Sequence, residues 1–219
     1  GLNFTNVTYY DGQGFMVPKK LNVKSAKELN GATVCVQTGT TTELNLSNYF
    51  RANGMEFKPV VIENQQEVLA AYISGRCDVY TTDASGLASQ LKNDIPNGAA
   101  DHMILPEIIS KEPLGPAVRQ GDEQWTDLVK YTVNALIQAE ESGITQANVD
   151  EMVATSKDPD VQALLGVKNA EGKTSGNGEA LGVDEDWAVR AIKAVGNYGE
   201  IFDRSIKPLG LERGINALW

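Results

Sequence analysis

Two short stretches carry residue types that could hold a small charged molecule. One is the polar turn Thr38-Gly39-Thr40-Thr41-Thr42, which follows the β-branched run Thr33-Val34-Cys35-Val36-Gln37. The other is Thr82-Asp83-Ala84-Ser85-Gly86, which follows Cys77-Asp78-Val79-Tyr80-Thr81. Each reads as strand, polar turn and helix start. A strand buried on both faces is a continuous apolar run rather than an alternating one. In open α/β sheets, ligands bind just beyond the carboxyl ends of such strands. Residues 39–42 and 81–83 are therefore expected side by side on one rim.

The chemistry of that rim follows from the groups on it. The amides of Thr40, Thr41 and Thr42 open a helix, where the first N–H groups lack internal partners and favour an anion such as a carboxylate. Gly39 lets the backbone approach a ligand closely, and the threonine hydroxyls add donors. Asp83 is suited to an ammonium group. An anion cradle beside a fixed carboxylate is a site for a zwitterion, which suggests a free α-amino acid. The plainer alternative is that Thr41 or Thr42 caps its own helix and Asp83 caps the next. The residues by themselves leave both open.

The surrounding elements are legible from periodicity and stop signals. Residues 7–10 and 15–17 read as strands around the turn Asp11-Gly12-Gln13-Gly14. Ser25 and Glu28 have the spacing of a capping box for a short helix that Gly31 ends. Helices are expected over 41–52, with Leu44, Tyr49 and Phe50 among its apolar residues, then over 64–74 and 84–92. Strands are expected over 58–62 and 78–81, and extended runs over 104–109 and 115–119. Trp125, Leu128, Val129, Thr132, Val133, Leu136 and Ile137 fall at helical spacing and predict a core-facing stripe on a helix over 125–141. Helices near 148–155 and 159–165 follow, then a polar, Gly-rich linker over 168–178. A last helix capped by Asp184 runs to about 195, and the tail closes on Trp219. The alternation of strand and helix gives an α/β fold.

Composition narrows the function class. The 219 residues carry a formal net charge of −10 and no basic run, which argues against nucleic acid and anionic membrane surfaces as partners. No apolar stretch is long enough to span a bilayer. No initiator Met and no leader-like segment opens the sequence, so a mature or shortened chain is expected. Cys35 and Cys77 are the only cysteines. They sit on the two strands expected to be close, so either a disulfide or two buried thiols is consistent with the sequence. A bridge would contribute roughly 4 kcal/mol in the chain-entropy picture and imply an oxidising compartment. With His102 the only histidine and no Cys-x-x-Cys spacing, neither a metal site nor a cofactor is expected.

Several motifs together resemble a known family. Gln37-Thr38-Gly39-Thr40-Thr41-Thr42-Glu43 and Thr81-Thr82-Asp83-Ala84-Ser85-Gly86 look like second-lobe motifs of the periplasmic amino-acid-binding proteins. The similarity extends through Tyr9-Tyr10-Asp11-Gly12-Gln13-Gly14-Phe15-Met16-Val17 and Glu112-Pro113-Leu114-Gly115-Pro116-Ala117-Val118. It reaches Gly196-Asn197-Tyr198-Gly199-Glu200-Ile201-Phe202 and Arg213-Gly214-Ile215-Asn216-Ala217-Leu218-Trp219. The pattern is most similar to the binding component of general L-amino-acid ABC transporters, within the type II periplasmic binding proteins (solute-binding protein family 3). That resemblance implies a periplasmic protein that binds L-amino acids for an ABC permease of the inner membrane. It places the ligand carboxylate on Thr40 and Thr41, with Gly39, and the ammonium on Asp83. Gln37 and Tyr80 are the nearest candidates for side-chain selection.

The family pattern opens with most of a first lobe, including an arginine that clamps the carboxylate. Here Gly1-Leu2-Asn3-Phe4 already lies near the first hinge, and the sequence stops soon after the C-terminal motif. The expected organisation is the end of lobe 1 and first hinge over 1–14, and a complete α/β lobe 2 over 15–108. A second hinge and return would occupy 109–145, and a C-terminal helical extension 146–219. Weakened capture and self-association through the incomplete lobe are expected. A non-binding oligomeric remnant is the second reading. A dehydratase or lyase on the same scaffold is the third, disfavoured because no acid–base or nucleophile constellation accompanies His102; no catalytic residue is expected.

Overall fold

The structure, a computed structural model, describes residues 1–218. Trp219, the end of the C-terminal motif, lies outside the described residues. In chain order the strands and helices begin with β1 (Leu2–Phe4), β2 (Tyr9–Asp11), β3 (Gln13–Pro18), β4 (Thr33–Gln37) and α1 (Thr41–Ala52). Next come β5 (Lys58–Ile62), α2 (Gln65–Ile73), β6 (Val79–Asp83), α3 (Ala84–Asn93), β7 (His102–Ile104), β8 (Glu112–Leu114) and β9 (Ala117–Arg119). The remainder is helical: α4 (Glu123–Glu141), α5 (Val149–Thr155), α6 (Pro159–Leu165), α7 (Asn177–Leu181), α8 (Trp187–Val195) and α9 (Tyr198–Ser205). Two compact units result. One holds residues 10–113 with 209–211; the other holds 1–9, 114–208 and the residues from Glu212 on.

The unit built on residues 10–113 is an α/β layer structure around a sheet of order β5-β4-β6-β3-β7. β4 runs parallel to β5 and β6, while β3 is antiparallel to β6 and β7. Strand alternation sorts the side chains onto two faces. Phe15, Val17, Val34, Val36 and Val79 pack with Leu46 and Phe50 of α1 on one. Met16, Cys35 and Tyr80 pack with Val68 and Tyr72 of α2 and Leu87 of α3 on the other. Both faces are covered, which is why β4 reads as an uninterrupted run of β-branched and small apolar residues.

Cys35, mid-strand in β4, is bonded to Cys77, which precedes β6, with Cα atoms 5.7 Å apart. Beside it, the Asp78 carboxylate accepts hydrogen bonds from the Thr33 amide (3.1 Å) and hydroxyl (2.6 Å). Those bonds hold the Asp78 pKa below the ordinary carboxylate value. β4 and β6 are thus tied at their amino ends, which fixes how their carboxyl ends line up.

The other unit pairs β1 with β9 antiparallel and gathers α4 to α9. Ala135 and Ala139 of α4 are buried against Ile144, Val161, Leu164 and Ile192. Arg213 reaches back to Glu140 with two contacts, at 2.7 and 3.2 Å, and lies over the rings of Tyr198 and Phe202. Tyr198 in turn donates its hydroxyl to the carbonyl of Thr8.

Several expectations need correction. Ser25 and Glu28 do not form a reciprocal box. The segment is a single 3-10 turn in which Ser25 accepts from the Lys27 amide while Glu28 accepts from Lys24. The stripe on α4 is not uniformly core: Trp125 is 52% exposed, and the fully buried positions are the small Ala135 and Ala139. Asp184 does not cap α8; its carboxylate pairs with Arg190, and Asp186 holds the cap position. α9 was not expected at all, although Asn197 and Glu200 form a complete capping box at its start. His102 lies in β7.

The disulfide gives a direct test. Replacing both cysteines (Cys35→Ala with Cys77→Ala) should lower unfolding stability by up to about 4 kcal/mol, the chain-entropy value for a loop of this size. Urea unfolding of the two proteins measures it, and an unchanged midpoint would count against a stabilising bridge.

Candidate functional site

Three strand ends meet on one edge of the sheet. β4 and β6 are parallel neighbours, with Val34 opposite Val79 and Cys35 opposite Tyr80, so Gln37 and Asp83 both finish at that edge. β3 runs the other way and begins there, with Gln13 opposite Asp83. The sequence-derived rim residues 39–42 and 81–83 are therefore neighbours in space.

The turn after β4 is organised by its own side chains. Gly39 has φ +71°, a left-handed conformation that side-chain-bearing residues rarely adopt. Thr40 is the N-cap of α1: its hydroxyl donates to the Gln37 carbonyl (2.8 Å) and accepts from the Glu43 amide (3.3 Å). The Glu43 carboxylate takes the Gly39 amide at 2.8 Å and the Thr38 hydroxyl at 3.3 Å. The capping alternative thus holds for Thr40, one residue before the threonines first considered. The amides of Thr41 and Thr42 are the first two of a twelve-residue helix and have no carbonyl one turn earlier to pair with. They carry the positive end of the helix dipole.

Asp83 behaves differently. It occupies the N-cap position of α3, yet makes no capping hydrogen bond. Asp11 does that work instead, accepting from the Ser85 hydroxyl and amide as well as from the Gly12 amide. Among the described residues, Asp83 has no hydrogen bond or ion pair from its side chain. Burial raises its pKa, and the carboxylates of Asp11 and Glu112 raise it further. A half-buried carboxylate, unpaired and facing two others, is a place that favours a cation.

Residues that the sequence reading passed over complete the site. Gln13 is fully buried, and its Nε2 donates to the Thr42 carbonyl (3.1 Å) and the Thr81 hydroxyl (2.9 Å). Its backbone N–H donates to Ser110 Oγ (3.0 Å), and the Ser110 hydroxyl donates to Glu112 Oε1 (2.7 Å). A Cβ on Gly12 would meet the Ser110 carbonyl at 2.6 Å, so the chain passes there only as glycine. Asp11, Gln13 and Glu112 all stand in stretches read as chain crossings, where spacing gives no clue to a side chain's partner. Their polarity within otherwise apolar surroundings was the available signal.

The two specificity candidates differ in placement: Gln37 ends β4 at that edge and Tyr80 lies inside the sheet. Gln37 donates to the Glu63 carbonyl at 2.9 Å, which commits its amide to the loop before α2. Tyr80 is only 1% exposed and packs against the ring of Tyr72 inside the α2–α3 face, so it presents nothing to a ligand on the rim. His102 pairs with the Tyr72 hydroxyl (2.6 Å) beside Pro18, at the far end of β3 from Gln13. That is about 17 Å along the strand at the usual rise.

The raised Asp83 pKa has a consequence for stability. The folded chain holds this proton more tightly than the unfolded chain does. Its favourable contribution is therefore full below the unfolded carboxylate pKa and lost as pH rises through the raised native value. Asp83→Asn should make the ligand-free protein more resistant to urea at pH 7, with the gain vanishing near pH 4, where ordinary carboxylates begin to protonate. An Asn variant less stable than wild type at neutral pH would reveal a partner for Asp83.

Comparison with known proteins places the chain among binding proteins. The family pattern described as NMT1/THI5 like matches residues 4–106. The general L-amino acid-binding periplasmic protein AapJ of Rhizobium johnstonii is 62% identical over 222 residues. The glutamate/glutamine/aspartate/asparagine-binding protein BztA of Rhodobacter capsulatus is 54% identical over 221 residues. Both alignments take in the whole of this chain, which spans 63% of the length of each relative. A periplasmic binding protein of an ABC transporter from Brucella ovis, solved with glutathione bound, is 55% identical and superposes with a TM-score of 0.90, covering 100% of this chain and 68% of its own.

Proposed function

Since this chain belongs to the periplasmic binding proteins of ABC transporters, we propose that it binds free L-amino acids in the periplasm for delivery to an ABC permease. The observation that carries this reading is Asp83. It stands at a helix start without capping it, its charge is opposed by its neighbours, and the open amides of α1 lie one strand away. An α-amino acid brings an ammonium for the first and a carboxylate for the second. Gly39, Thr40 and Thr41 would form the carboxylate side. Thr40 has its hydroxyl engaged in capping and so contributes through its backbone.

The division of labour expected from the sequence goes with this reading. Residues 15–108 form the ligand-facing lobe, entered and left through 1–14 and 109–145, and 146–219 are a helical extension. Taken alone, residues 10–113 supply one wall of a site. Capture by that wall is weaker than by a site closed from both sides, because the ligand keeps part of its water. The reading is one of binding and not catalysis: His102, the one imidazole, is a strand's length from Asp83.

The glutathione held by the Brucella ovis protein adds a second ligand class. The γ-glutamyl end of glutathione carries a free α-ammonium and α-carboxylate, so the same two halves would read it.

A thermal-shift screen with each L-amino acid and with glutathione tests the proposal. At one hundred times the dissociation constant a ligand adds about 2.7 kcal/mol, equivalent to roughly 5–10 °C for a chain of this length. Asp83→Ala should abolish the shift. A shift that survives Asp83→Ala would remove Asp83 from the site. No shift with any ligand would favour the non-binding, oligomeric reading of the same fold.

We also propose that the chain self-associates through the apolar groove between α4 and α8. Trp125, Leu128, Val129 and Val133 line one side and Trp187 the other, with Asp184 and Arg190 at the edge. Asp184 and Arg190 pair with each other at that edge, so the apolar side chains of the groove are what a two-fold related copy would cover. Exchange of C-terminal elements is one way to build the contact. Light scattering on Trp125→Glu should show a loss of dimer relative to wild type, and a monomeric wild type at tens of micromolar would count against the idea.

A further inference from the structure

Gln13 is an unusual residue to find fully buried, and its hydrogen bonds explain little in structural terms. Its Nε2 donates to the Thr42 carbonyl and to Thr81 Oγ1. Neither partner can donate in return, since the Thr81 hydrogen goes to the Gly14 carbonyl at 2.7 Å. The orientation of the amide is thereby fixed. Its Oε1 is left buried and without a partner among the described residues, a state that costs about 1–3 kcal/mol.

The partners do not need Gln13. Thr42 lies in the first turn of α1, where its carbonyl can accept the amide four residues on. Thr81 keeps its bond to Gly14. A methionine of similar length would fill the same space without an orphaned acceptor. What the two bonds do is join the first turn of α1 to β6, two residues before Asp83. That turn is also held to the end of β4 by the Thr40-to-Gln37 bond and the Glu43 carboxylate on Thr38 and Gly39, and to the sheet by Leu46 and Phe50 further along α1, but none of these reaches β6 beside Asp83.

We infer that Gln13 is a positioning residue for the amino-acid site, fixing the amides at the start of α1 at a set distance from the Asp83 carboxylate. The inference rests on the amino-acid-binding reading above. The ammonium and carboxylate of an α-amino acid are separated by one carbon, so the protein groups that meet them must keep a matching separation to within about half an ångström. A cross-strand amide that grips both sides sets that separation, and the unsatisfied Oε1 is the structural cost of having it.

Gln13→Met separates this role from a purely structural one. Three quantities are compared with wild type: the ligand-free unfolding midpoint, hydrogen exchange at Leu44, Asn45 and Leu46, and the dissociation constants of L-glutamate and L-glutamine by calorimetry. The expected result is an unchanged or raised midpoint, faster exchange confined to those three amides, and about tenfold or greater loss of affinity. A fall in the midpoint, including failure to fold, would make Gln13 a structural residue and overturn the inference. So would a well-folded variant with unchanged affinity. If wild type binds none of the L-amino acids in the thermal-shift screen, the functional reading fails on its own. Exchange then still decides the positioning role: faster exchange at an unchanged midpoint supports it, and equal exchange overturns it.

Discussion

Parallel strands covered by helices on both faces have room for polar side chains only at their ends. That constraint shapes the unit of residues 10–113. β4 and β6 bury their middles against α1 on one face and against α2 and α3 on the other, so their polar residues gather where each strand stops. The Cys35–Cys77 bridge and the Asp78–Thr33 bonds fix the amino ends, and parallel pairing transmits that alignment to the carboxyl ends. The rim is therefore a by-product of how the core must pack. Its chemistry depends on the few residues allowed to be polar there.

Those residues are arranged against the local interest of the fold. The obvious cap for α3 is Asp83, yet Asp11 makes the capping bonds and leaves Asp83 unpaired beside two like charges. Gln13 is buried with an acceptor unused. Each departs from the rule that buried polar groups are satisfied and charges are paired. Both lie within a few residues of the same strand end. Clustered departures of that kind are where a sequence serves something other than stability.

How much of this could be read from the sequence varied with the kind of signal. β4, α1, α2 and α6 were legible as elements because their apolar runs and end signals are local: Asn64 caps α2, and Gly166 follows α6 in a left-handed conformation. Placing two strands side by side made a Cys35–Cys77 bridge plausible but left two buried thiols open; the bridge is what the structure shows. The α4 stripe was legible as a period, but a period does not say what the stripe faces, and Trp125 faces solvent. Tyr80 was ambiguous because alternate residues of a central strand go to opposite faces, and which face holds the rim is a tertiary fact. Asp11, Gln13 and Glu112 were hidden because their partners lie at positions 85, 42 and 81, and 110, mostly contacts that no local pattern encodes.

The bond from the Tyr198 hydroxyl to the Thr8 carbonyl joins residues 190 apart, and β1 pairs with β9 across more than half the chain. In a chain that emerges from its amino end, from a ribosome or across a membrane, these contacts have an order. The five-stranded sheet draws on residues 13–104 alone, so it can close while the rest of the chain is still being made. The helical unit must hold its first residues in waiting until residue 198 emerges, and the Arg213 tie to Glu140 comes later still. Synthesis from the amino end thus completes the rim, with Gln13, Thr42 and Asp83 in place, before the other unit can be finished. A chain interrupted between those points would carry a finished five-stranded sheet and expose the apolar faces of the unfinished unit.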